Sequence, residues 1–148
     1  MFKQLWQRAQ PEHNEEQLME TVIARTQQYV DNHPDTVQKL AEIADKIKTE
    51  HPQYPEACCD LAVQYAQRHP ELNLQIKAGH MKQGNKQISH GWLYDLEEQV
   101  NIDITVGQFE RFKGVEIMVF TNDELRDLGY TYSERETQSM LKHIEGSI

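Results

Sequence analysis

Two adjacent cysteines, Cys58 and Cys59, are the residues of this sequence best suited to nucleophilic chemistry. They follow Pro55, a residue typical of a first helical turn, so they are predicted to lie in or near the start of a helix. Unpaired backbone N–H groups and the helix macrodipole lower the pKa of a thiol at that position and favour the thiolate. Successive helical residues project about 100° apart, so only one thiol can face a given partner. The Cys-x-x-Ala spacing favours Cys59 as the nucleophile, with Cys58 as the alternative.

A nucleophilic cysteine also needs an imidazole as general base and a third group that orients the imidazole. His90 is predicted to open a strand and to share one strand face with Trp92 and Tyr94, whose rings would shield it from water. Asp103 lies between two isoleucines, so its side chain points to the face opposite them. A carboxylate there is expected to have a partner. The hypothesis is therefore Cys59 as nucleophile, His90 as general base and Asp103 as the group that orients it.

Two further side chains are candidates for the same site. Gln53 precedes Cys59 by six residues, a separation at which a loop amide can turn back and donate a hydrogen bond to an oxyanion. His80 follows Gly79 in a predicted loop and is a rival for the general base. The cysteines lack the CxxC spacing of a zinc site, and the acidic residues around His13 are typical of a solvated helix start. No metal or cofactor is expected.

The pattern of apolar residues predicts an α+β fold, with N-terminal helices followed by an antiparallel sheet on which the third helix packs. The three-and-four spacing predicts helices and the alternating spacing predicts strands. The predicted helices cover residues 15–32, 34–50 and about 55–69, and the strands cover 72–78, 88–96, 100–105 and 115–120. Turns are expected at 84–85 and 113–114. A helix start at Thr121, a break at residues 129–130 and a last helix over 133–143 complete the prediction.

Composition limits the number of domains and the classes of partner. A length of 148 residues is enough for one hydrophobic core, so a single domain is expected over 1–148. The formal net charge of -9 disfavours binding to phosphates, and nucleic acid is not an expected partner. No apolar stretch approaches the roughly 18 residues of a membrane span, and the first ten residues lack a signal-peptide core. We expect a protein of the cytoplasm with free thiols, or one exported without a signal peptide as an effector.

Three segments together resemble the papain-like and transglutaminase-like cysteine superfamily, in particular small phage and bacterial proteins. They are Cys-Cys-Asp-Leu-Ala at 58–62, His-Gly-Trp-Leu at 90–93 and Ile-Asp-Ile-Thr-Val-Gly-Gln-Phe at 102–109. The resemblance covers roughly residues 53–120 as a papain-like core, leaving 1–52 as a helical N-terminal part and 121–148 as a helical tail. It implies that Cys59 attacks an amide or thioester carbonyl of a protein or peptide and that water or an amine resolves the acyl-enzyme. Amide hydrolysis, deamidation and acyl transfer all follow that course.

A second hypothesis is that the domain has the same fold but no catalytic activity. A catalytically inactive papain-like domain would serve as a protein-binding module, with the helices of residues 15–50 as its docking surface. The two hypotheses differ in thiol chemistry, because only the enzyme needs one cysteine of depressed pKa. The sequence indicates neither the substrate nor the oligomeric state.

Overall fold

A computed structural model describes residues 11–50 and 58–147, with side chains over 15–50 and 61–144. The described chain is α+β: N-terminal helices precede a five-stranded antiparallel sheet, as the sequence predicts. Helix α1 spans Pro11–Asn32, α2 spans Pro34–Glu50 and α3 spans Cys58–Gln67. Pro34 ends α1 and occupies the first position of α2, where its missing N–H costs nothing.

The sheet is built from two long strands and three short ones, in the order β4-β3-β2-β1-β5. The strands are β1 Leu74–Gln83, β2 Lys86–Asp95, β3 Val100–Asp103, β4 Met118–Phe120 and β5 Tyr130–Tyr132. The predicted turn at 84–85 joins β1 to β2, and Gly84 supplies the positive φ of 61°. β5 is a strand where the sequence predicts only a break, and β1 continues five residues beyond its predicted end.

The chain after β4 returns across the sheet. Helix α4 spans Asn122–Leu125, and helix α5 spans Glu134–Ser147 after the predicted cap at Ser133, whose hydroxyl accepts a hydrogen bond from the backbone N–H of Glu136. The Thr137 hydroxyl accepts a 3.0 Å hydrogen bond from the backbone N–H of Ala78. This bond attaches α5 to β1 and fixes the position of β5, which immediately precedes α5.

The two faces of the sheet carry different side chains, because successive strand residues alternate between them. The helical face is covered by α2, α3 and α5, and a row of aliphatic residues crosses it from β1 to β4: Ile76, Leu93, Ile102 and Val119. The opposite, aromatic face is covered by loop residues of 106–112 and by Leu128, and it carries Trp92, Phe120 and Tyr130. Helix α1 lies beside the edge strand β4, where the Thr26 hydroxyl accepts a 2.9 Å hydrogen bond from the N–H of Val119.

The contact between β1 and β5 depends on Gly79. A Cβ at this position would lie 1.8 Å from the carbonyl oxygen of Thr131, which is backbone and cannot move without displacing β5. We expect Gly79→Ala to lower the free energy of unfolding by about 3 kcal/mol, the upper end of what overpacking costs. Denaturant unfolding followed by circular dichroism measures this loss.

Gly91→Ala is the matched control for Gly79→Ala. A Cβ there would meet Cε and Sδ of Met140 at 2.8 and 2.9 Å, and these atoms are the flexible end of a side chain. The expected loss is about 1 kcal/mol or less. Equal losses in the two variants would contradict the role assigned to Gly79.

Candidate functional site

The strands place His90 and Asp103 on the same face of the sheet. His90 lies in the middle of β2 rather than at a strand start, and Asp103 is the last residue of β3. Asp103 projects away from the helical face, as its position between two isoleucines predicts. The two side chains meet there: Nε2 of His90 lies 2.7 Å from Oδ2 of Asp103, and both residues are 1% exposed. The predicted imidazole–carboxylate pair is therefore present.

Both oxygens of Asp103 accept hydrogen bonds. Oδ2 accepts from Nε2 of His90 and, at 2.5 Å, from the hydroxyl of Tyr130. Oδ1 accepts from the backbone N–H of Thr105 at 2.9 Å and from its hydroxyl at 3.3 Å. Burial opposes ionisation, yet the charge of His90 and these hydrogen bonds together hold the pKa of Asp103 below its ordinary value. The carboxylate is the form that this site stabilises.

The carboxylate also determines which nitrogen of His90 can act as a base. A carboxylate accepts hydrogen bonds only, so Nε2 carries a proton and donates it to Asp103. In the neutral imidazole the lone pair is then on Nδ1. Nε2 of Gln108 lies 3.4 Å from Nδ1 and 3.4 Å from the Thr105 hydroxyl. Nδ1 is therefore the nitrogen that can take up a proton, and in the neutral imidazole its lone pair accepts a hydrogen bond from the Gln108 amide.

Aromatic rings enclose the imidazole, and of the two predicted rings Trp92 is among them, whereas Tyr94 lies against Lys77. The ring centroids of Phe109, Tyr130 and Trp92 lie 4.8, 6.0 and 6.1 Å from that of His90. The indole N–H of Trp92 donates a 3.0 Å hydrogen bond to the side chain of Asn101, which is itself buried. The surroundings of the pair are thus apolar rings with satisfied polar groups, and electrostatic interactions are stronger there than in water.

Cys58 and Cys59 are the first two residues of the described part of α3. The side chains of Cys58 and Cys59, and the whole of Gln53, lie outside the described residues. Helix α3 packs on β2 as expected: a Cβ on Gly91 would lie 3.6 Å from Cγ1 of Val63. Cys59 precedes Val63 by four residues, or about 6 Å of helix. Gly91 faces α3, so the side chain of the neighbouring residue His90 projects from the opposite face of the sheet, away from α3.

No family model matches this chain, and no match is found among curated proteins or solved structures. The resemblance to the papain-like superfamily therefore stays a prediction. Within residues 11–50 and 58–147, no helix is both long and apolar enough to cross a membrane. In the same residues, no three or more His, Cys, Asp or Glu side chains are grouped to hold a metal ion.

His80, the rival base, lies within β1 and not in a loop. It pairs with Ser89, whereas His90 pairs with Gly79, so the two histidines project from opposite faces of the sheet. Asp103 can therefore orient His90 and cannot orient His80. The hairpin explains the difference from the sequence prediction, because pairing across the turn at Gly84 continues β1 through position 80.

Tyr130 is the site residue that the sequence analysis misses. It lies 27 positions after Asp103 and reaches the site only because β5 pairs with β1, with Tyr130 opposite Met81. The alternation of aromatic and polar residues in Tyr-Thr-Tyr at 130–132 is a weak strand signal. Thr105 and Gln108 hold the loop after β3 through side-chain hydrogen bonds, and Phe109 is buried.

Proposed function

We propose that this protein is a cysteine-dependent amide hydrolase, deamidase or acyltransferase that acts on a protein or peptide. Cys59 is the nucleophile, His90 the general base and Asp103 the residue that orients the imidazole. The observation that carries the proposal is the buried 2.7 Å pair of His90 and Asp103, which leaves Nδ1 as the basic nitrogen. A histidine whose second nitrogen is held by a carboxylate is the arrangement that activates a thiol or hydroxyl nucleophile.

In this proposal the partner of the histidine is Cys59, in the helix that packs on β2. The described part of α3 begins at Cys58, and the macrodipole favours a thiolate when a cysteine lies in a first helical turn. Within the described residues, β3 pairs only with residues 93–95 of β2, so the flank of β2 beside His90 has no β3 neighbour. Helix α3 covers the helical face and His90 projects from the opposite face, so the proposed proton transfer requires the thiol to reach Nδ1 around this flank. A papain-like core, with the helix start set against the sheet, is part of the same proposal.

The chemistry proceeds in two halves. Nδ1 of His90 takes the thiol proton, and the sulfur of Cys59 bonds to the substrate carbonyl carbon. The carbon–nitrogen bond then breaks, and the proton passes from Nδ1 to the leaving amine or ammonia. In the second half, Nδ1 takes a proton from water or an acceptor amine, which attacks the thioester and releases the thiolate. Asp103 stays ionised throughout and stabilises the imidazolium.

The exposed surface of α1 favours a second candidate, a catalytically inactive protein-binding module. Ile23 is 63% exposed on this helix and lies beside Met19, with Glu15, Glu16 and Glu20 around the two apolar side chains. A large exposed aliphatic side chain is compatible with a docking surface. This candidate needs no activated thiol, so thiol reactivity separates it from the enzyme.

The test is the pH dependence of iodoacetamide alkylation at each cysteine, measured by mass spectrometry on the native protein and on Cys58→Ala and Cys59→Ala. We expect Cys59 to react with a midpoint below about pH 7 and Cys58 with a midpoint near pH 8.5, the ordinary thiol value. The single-cysteine variants control for each other, because each retains one thiol of the adjacent pair.

Three outcomes of the alkylation test are informative. A low midpoint at Cys58 alone would transfer the nucleophile to that residue. Midpoints near pH 8.5 at both positions would overturn the enzyme proposal and favour the binding module. A low midpoint at Cys59 justifies assays for ammonia release and amine incorporation with glutamine-containing peptides.

A further inference from the structure

The hydroxyl of Tyr130 is placed to control the geometry of the His90–Asp103 pair. It donates a 2.5 Å hydrogen bond to Oδ2 of Asp103, the same oxygen that accepts from Nε2 of His90. Two donors converging on one carboxylate oxygen limit rotation of the carboxylate. The remaining oxygen is held by Thr105, so the carboxylate is fixed at both oxygens.

The ring of Tyr130 is itself held rigidly. It is 1% exposed, and its centroid lies 4.5 Å from that of Phe120 and 5.0 Å from that of Trp92. The backbone before it is anchored too, because the carbonyl of Gly129 accepts a 2.8 Å hydrogen bond from the N–H of Lys82. The hydroxyl therefore approaches Asp103 from a fixed position, which a solvent-exposed tyrosine could not provide.

The hydroxyl also stays protonated. Burial and the adjacent charge of Asp103 raise the pKa of Tyr130 well above its ordinary value, so it acts as a donor at any physiological pH. In the described part of the chain, His90 and Tyr130 are the titratable groups that contact the Asp103 carboxylate. Tyr130 therefore stays protonated over the whole pH range in which an imidazole ordinarily titrates.

We propose that Tyr130 is a positioning residue: its hydroxyl fixes the Asp103 carboxylate so that Nε2–H of His90 has one orientation and the lone pair of the neutral imidazole stays on Nδ1. It acts through Asp103 and touches no reacting atom. Its effect on the thiol rests on the proposed function, whereas its effect on the imidazole does not. Strand β5 thereby becomes part of the site, although it lies at the far edge of the sheet from β3.

The test compares Tyr130→Phe with Tyr132→Phe. Tyr132→Phe is the matched control, because it removes a hydroxyl of the same strand that bonds Glu134 at the surface. The first readout is the ¹H–¹⁵N spectrum of the His90 ring, which distinguishes a protonated from an unprotonated nitrogen. We expect Tyr130→Phe to give faster exchange of the Nε2 proton and averaging of the two ring-nitrogen signals, while Tyr132→Phe matches the native protein.

The second readout is the acid titration of the His90 ring signals, which respond to protonation of the adjacent carboxylate. Loss of one hydrogen bond to the ionised carboxyl raises the pKa of Asp103, so this titration should move to higher pH in Tyr130→Phe. Site-specific 3-fluorotyrosine at position 130 keeps the ring and strengthens the donor, and it should move the titration in the opposite direction. This variant keeps the test decisive if Tyr130→Phe does not fold.

The readouts separate failure of this inference from failure of the proposed function. An unchanged His90 spectrum in both position-130 variants would overturn the positioning role, whether or not the thiol is activated. A changed spectrum without an activated thiol in the native protein would support the positioning role and overturn the cysteine chemistry alone.

Discussion

Asp103→Ala is expected to lower the free energy of unfolding by about 3–5 kcal/mol, the cost of removing one partner from a buried ion pair. The reason is specific to this site. The substitution leaves the buried donors of His90, Tyr130 and Thr105 without their acceptor, and each buried donor without a partner costs desolvation energy. Denaturant unfolding at pH 7 measures the loss, with m values compared to verify two-state behaviour.

The control is Asp45→Ala, which removes an exposed carboxylate of α2 and should change stability by no more than about 0.5 kcal/mol. The loss in Asp103→Ala should also depend on pH with a definite sign. The folded pKa of Asp103 is depressed, so its contribution is fully present above about pH 4, the ordinary carboxyl value, and is lost as pH falls through the folded value. The difference between the native protein and Asp103→Ala should therefore narrow in acid. A loss no larger than that of Asp45→Ala would show that the pair does not stabilise the fold.

His90→Gln is expected to move the alkylation midpoint of Cys59 from below about pH 7 to about pH 8.5. Without an imidazole to accept its proton, the thiol keeps only the smaller influence of the helix start. Gln is close to His in size and retains polar atoms, so the aromatic enclosure is disturbed less than by alanine. Mass spectrometry of the Cys58→Ala background isolates the thiol of interest.

His80→Gln is the matched control for the histidine substitution, because His80 lies on the adjacent strand with its side chain on the opposite face. It should leave the midpoint unchanged. A shift of equal size in both variants would mean that the substitutions act through the sheet as a whole. A midpoint unchanged by His90→Gln would remove His90 as the general base even if Cys59 is reactive.

The two predictions probe different parts of the same arrangement. Asp103→Ala measures how much the hydrogen bonds from His90, Tyr130 and Thr105 to the carboxylate stabilise the fold. His90→Gln measures whether the imidazole lowers the pKa of the Cys59 thiol. A large stability loss with no change in thiol chemistry would describe a structural polar core and favour the binding module.

The local pattern of the sequence determines most of the elements. Helix α2 begins and ends where its proline and apolar spacing predict, and the turn at Gly84 lies where it is expected. Alternation along the strands also predicts which faces His90 and Asp103 occupy, because that depends only on position within each strand. The pairing of the two residues could therefore be inferred once their strands were taken as neighbours.

The local pattern does not predict where the strands end, because that depends on the neighbouring strand. β4 is limited to Met118–Phe120, although alternation predicts a strand from 115, because β3 offers only a few residues to pair with it. β1 extends past its predicted end because the hairpin supplies partners as far as Lys86. In both strands, the neighbouring strand fixes where pairing stops.

By itself, the sequence determined the α+β order, the His90 and Asp103 candidates and the place of Trp92 beside the imidazole, since these follow from local spacing and side-chain type. Only the tertiary structure decided that β5 lies beside β1, and hence that Tyr130 donates to Asp103. Three residues do not specify a partner, even when their strand propensity is high. The pairing arises because α5 is attached to β1 through Thr137 and because Gly79 leaves room for the backbone at Thr131, contacts that join residues 59 and 52 positions apart.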